Sequence, residues 1–76
     1  MDVFDDELIE AVRIIEKRDD SSPKGKFYLS LYDAYAAGAE FDPGTVDSSI
    51  PEIKDMVKTV NVLENKVLYA HGYLRL

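Results

Sequence analysis

The chain has no cysteine and a single histidine among its 76 residues, so disulfides, thiolate zinc sites and histidine metal clusters are all excluded. Absence of cysteine suits a reducing compartment, and a cytoplasmic location is expected. Tryptophan is missing, and no apolar run approaches the roughly 18 residues that span a bilayer. The first residues, Met1-Asp2-Val3-Phe4-Asp5-Asp6-Glu7, are acidic and do not read as a secretory leader; no membrane association is expected. Basic residues are also scarce, nine against fifteen acids, for a net charge of −6. Affinity for phosphate backbones comes mainly from clustered lysine and arginine, so direct nucleic-acid binding is not expected.

Catalytic groups are as sparse. A nucleophile needs a base beside it, and the only imidazole, His71, lies far along the chain from Ser48 and Ser49, which read better as caps. The carboxylates Asp5, Asp6 and Glu7 fall where a helix begins, a place that favours negative charge without chemistry. Pro23-Lys24-Gly25-Lys26 lacks the spacing of a phosphate loop, and Asp42 to Asp47 does not follow a calcium loop. No enzyme, cofactor or metal is expected.

What the chain does contain is period. From Pro51 onward, Ile53, Met56, Val60, Leu63, Val67, Ala70 and Leu74 step by three and four, a heptad seam. Ser49-Ile50-Pro51-Glu52 reads as a capping box in front of it. An earlier helix is expected over 5–18, with Phe4, Leu8, Ala11, Val12 and Ile15 along one stripe, acids in its first turn and Lys17 and Arg18 in its last. A second starts at the Ser22 cap with Pro23 in its first turn and stops at Gly38. Gly25 weakens its first turn, and Phe27 to Tyr32 also alternates like a short strand. Pro43-Gly44 marks a turn in the connector, with Phe41 and Val46 pinned to the helices.

The expected fold is therefore a single all-α domain over 1–76: three helices, the last one long. The alternative places a hairpin after Lys58, because Thr59-Val60-Asn61-Val62 is β-branched and Tyr69, His71 and Tyr73 alternate. That version has the element order of a winged-helix nucleic-acid regulator, although no motif supports it.

A chain this short hides only about 60% of the surface its unfolded form exposes, so self-association or a partner is the expected supplement to its core. Tyr28, Tyr32 and Tyr35 recur at helical spacing, and Tyr69 and Tyr73 join Val62 and Leu76 in a second apolar stripe beside the seam. Tyrosine buries a large ring while keeping its hydroxyl wet, which suits interfaces. Asp2, Asp5, Asp6, Glu7 and Glu10 would steer a basic surface. The expectation is a small acidic protein-binding domain that self-associates, with the profile of compact adaptors and inhibitors, phage-encoded ones that set acids in place of phosphates included. The alternative is a homo-oligomeric assembly subunit whose only partner is itself.

Overall fold

The computed structural model describes residues 6–75, so Asp2, Phe4, Asp5 and Leu76 lie outside the described residues. Among the described residues four α-helices follow one another: α1 (Asp6–Lys17), α2 (Pro23–Ala36), α3 (Pro51–Lys58) and α4 (Val60–Arg75), with a short 3-10 turn at Pro43–Thr45. The described residues contain no strand, so the all-α reading holds and the hairpin is not formed. Phe27 to Tyr32 likewise lies inside a helix.

Charge and capping account for the first two helices. Asp6 and Glu7 stand at the positive end of α1 and Lys17 at its negative end. Its buried face is Leu8, Ala11, Ile14 and Ile15. The chain leaves α1 through Arg18 at φ 47°, with Asp19 N–H donating to the Ile14 carbonyl at 3.0 Å. Such a cap usually employs glycine. Here a two-pronged pairing of Arg18 with Asp33 Oδ1 and Oδ2, at 3.3 and 3.0 Å, ties the cap to α2. At the start of α2 the Ser22 hydroxyl accepts from Gly25 N–H at 3.0 Å, as the sequence implied. Gly38, at φ 70°, closes the helix by the same left-handed cap.

α2 occupies the centre. Phe27, Tyr28, Leu29 and Leu31 are all buried, and consecutive residues on a helix point about 100° apart. No single neighbour can cover such a set. α1, α3 and α4 all pack against α2, and the connector adds Phe41, whose ring centroid lies 5.2 Å from that of Phe27. Phe41 and Val46 are thus pinned to the core as expected. The Pro43-Gly44 turn is held by Asp42, whose carboxylate accepts from Gly44 N–H at 2.9 Å.

The seam is also as read: Ile53, Met56, Leu63, Val67 and Ala70 are buried, and Val60 and Leu74 pack against them from the edge. The helix that carries it is not continuous. Thr59 ends α3, its hydroxyl donating to the carbonyls of Asp55 at 3.2 Å and Met56 at 3.4 Å. Its own carbonyl then accepts from Val62 and Leu63. Back-bonding threonine bends helices, and two β-branched residues close behind it lower the cost of a break. The run that resembled a strand thus marks a joint between helices.

The Ser49 box does not form either. Ile50 takes the cap position of α3 without a side-chain bond, because Asp47 accepts from both the Ser49 amide, at 3.1 Å, and the Ser49 hydroxyl. An Asx turn has outcompeted the helix cap.

Gly25 is not a weak point but a requirement. It is buried, and a Cβ there would collide with the Asp19 carbonyl oxygen while also meeting the Ser22 hydroxyl at 3.3 Å. Gly25→Ala should cost about 2 kcal/mol despite alanine's better helix propensity. A thermal melt is expected to fall by about 10 °C; an unchanged or raised midpoint would contradict the close approach.

Candidate protein-interaction surface

Two tyrosines of α2 turn inward. Tyr28 has 0% of its surface exposed, and its hydroxyl donates to Glu7 Oε1 at 2.7 Å. It is a core residue and supplies no contact area to a partner. The sequence pattern misplaced it because helical spacing alone does not say which tyrosine of a stripe lies deepest. Tyr32 is half-buried, its hydroxyl 3.1 Å from His71 Nδ1. Tyr35 is exposed and meets the edge of the His71 ring, with centroids 5.2 Å apart. His71 thus serves as a spacer between α2 and α4.

The acids of α1 are divided in the same way. Glu7 and Glu10 both receive Lys24 Nζ, at 2.9 and 3.0 Å, so two of the proposed steering charges are spent on joining α1 to α2. Burial pushes the Glu7 carboxyl up, but the hydrogen bonds from Tyr28 and Lys24, with the charges of Lys24 and Lys66, outweigh it and leave it below its ordinary value. For Lys24, burial pulls down and the two carboxylates raise it further. Asp6 is exposed; Asp2 and Asp5 lie outside the described residues. At the end of α1, the Ser21 hydroxyl and amide, joined by Arg13, hold Asp19 down at about 2.

The remaining apolar side chains form a surface. Val62, Tyr69 and Tyr73 are 55, 55 and 59% exposed on α4, which bears out the geometry of a second stripe beside the seam. What the sequence did not disclose is its continuation on α1. A groove of about 530 Å³ runs between the two helices. Leu8, Ile9 and Val12 line it from α1, and Leu68, Tyr69, Gly72 and Tyr73 from α4. Ile9 is 57% exposed although it lies one residue off the buried stripe. An isoleucine outside the core arc of a strongly amphipathic helix was the available signal. Gly72 faces open space and leaves a notch in the α4 wall.

Among the described residues the lining carries no ionisable group except the tyrosine hydroxyls. Its chemistry is that of apolar contact with hydroxyl edges. Among the described residues no helix is long and apolar enough to cross a membrane. No family model matches this chain, and no curated protein or solved structure matches it.

The clasp of Glu7, Tyr28 and Lys24 generates a pH dependence. The Glu7 carboxyl is lowered on folding, so its contribution is present above the unfolded value and lost as pH falls through the folded one. Lys24 is raised, so its contribution is complete below its unfolded value and lost as pH rises through the folded one. Chemical denaturation should therefore show stability falling as pH drops below about 4. Glu7→Gln should cost about 1 kcal/mol at neutral pH, discounted for partial exposure, and flatten that acid limb. An unaltered acid limb in the variant would remove Glu7 from the account.

Proposed function

We propose that this domain is a non-enzymatic protein-binding module that pairs with a second copy of itself through the α1/α4 groove, leaving its acidic exterior for a basic protein partner. The observation that carries this reading is the continuity of Ile9, Leu68, Tyr69 and Tyr73 around one groove. Single exposed apolar residues are ordinary, whereas a contiguous set of large ones is not.

A second copy is favoured by charge and by area. Each chain carries −6, so two copies approach most readily where few carboxylates face each other, and among the described residues none lines this groove. With Val62, the exposed apolar parts amount to roughly 500 Å² per copy, from the sizes of such side chains. Two copies then cover about 1,000 Å², the lower bound for a specific interface. The Gly72 notch gives a facing side chain room to enter. In such an interface the tyrosine rings supply buried area while their hydroxyls remain hydrated at the rim.

Light scattering behind size exclusion, run from micromolar to millimolar concentration, tests this. The wild-type chain should convert from monomer to dimer across the range, and Ile9→Glu or Tyr73→Glu should hold it monomeric with unchanged helical circular dichroism. Both side chains are exposed, so neither change should unfold the chain. A wild-type chain that stays monomeric throughout, or variants that dimerise equally well, would reject the groove as a homotypic interface.

A further inference from the structure

On the other side of Leu68 lies a second cavity, of about 510 Å³, between α2, the connector and α4. Leu31, Phe41, Val67 and Leu68 supply its apolar wall, and Tyr35 adds a ring. Glu40, from the connector, and Glu64, from α4, add carboxylates beside Ala34 and Ala39; among the described residues no lysine, arginine or histidine lines it. Both glutamates are exposed, and among the described residues neither takes part in an ion pair.

Several other acids are answered within the chain. Glu7 and Glu10 share Lys24, and Asp19 takes Arg13. The cleft of about 570 Å³ beside α2 and α3 contains three aspartates, but also Lys26 and Arg18, the latter already bound to Asp33. The cavity beside Leu68 thus combines an apolar wall with uncompensated negative charge.

We propose that this cavity receives a lysine or arginine side chain from a protein partner. The chemistry is complementary at both ends of such a residue. Its methylene stem would lie along Leu68 and Phe41, while its cationic head stays at the mouth with Glu40 and Glu64. The Tyr35 ring offers a further attraction for the cation. A neutral side chain would fill the apolar wall but leave the carboxylates unanswered, and an anionic one would be repelled. The site therefore selects for a basic residue and gives the chain's acidity a specific place to act. Apart from Leu68, its lining is separate from that of the α1/α4 groove, so it does not depend on what covers that groove.

Amide chemical-shift titration of the full chain with N-acetyl-arginine methylamide, against the neutral citrulline analogue, is the test. Saturable shifts at Tyr35, Glu40, Phe41, Glu64 and Leu68 are expected, with citrulline weaker by about tenfold or more. The Glu40→Gln/Glu64→Gln double variant, changed only at exposed positions, should retain its spectrum but lose the arginine response by a similar factor. Repeating the titration on Ile9→Glu separates this site from self-association, since a monomeric variant should bind arginine as well as the wild type does. Equal binding of citrulline, an unaffected double variant, shifts spread evenly over Asp33 and Asp47, or no response would each overturn the proposal.

Discussion

The burial of Phe27, Tyr28 and Leu29 in succession on α2 is the constraint from which the rest of the structure follows. Three adjacent side chains sweep about 200° of a helix surface, so the chain must wrap α2 rather than merely lie beside it. α1 covers one side and holds Tyr28 by its hydroxyl through Glu7. The connector crosses back to set Phe41 on Phe27. The final segment must then reach the remaining side in two directions, and it does so as two helices meeting at Thr59. Gly25 belongs to the same requirement: the α1–α2 corner brings the Asp19 carbonyl onto the first turn of α2.

Wrapping one helix with three leaves the wrapping helices partly bare. α1 and α4 turn one face to α2 and to each other, and among the described residues nothing else covers their outer flanks. The described residues hold no fifth helix to cover them, and the connector is already committed to Phe27 and the core around it. The apolar groove is thus a consequence of where the aromatic residues of α2 lie. Its position was set by the core, while its composition, with tyrosines at the exposed edge and a glycine in the wall, was free to vary.

Local signals in the sequence proved strong wherever the competing interaction was also local. The Ser22 cap, the Pro23 start, the Gly38 stop and the seven-residue seam are decided by neighbours within a few positions, and all are found. The Ser49 box failed to a local rival, the Asp47 turn, that the same residues could equally have announced. Tyr28 and Gly25 were misread for a different reason. Whether a tyrosine is central or peripheral, and whether a glycine is weak or necessary, depends on an approach by another element, and periodicity carries no information about that. The groove illustrates the divide: its α4 half was legible as a stripe, whereas its α1 half required knowing which helix lies alongside.

Charge placement follows the same logic as burial. No charged side chain among the described residues is buried, so every carboxylate acts at the surface, where repulsion among like charges opposes compactness. The chain offsets part of that repulsion where elements join, at Lys24 between α1 and α2 and at Arg18 between the α1 cap and α2. Among the described residues no ionised group lines the α1/α4 groove, and Glu40 and Glu64 line one cavity beside an apolar wall. Solubility alone would be served equally well by carboxylates dispersed over the surface. In the binding proposed for that cavity, an incoming cation would lower the negative potential of its two acids while its stem covers Leu68 and Phe41.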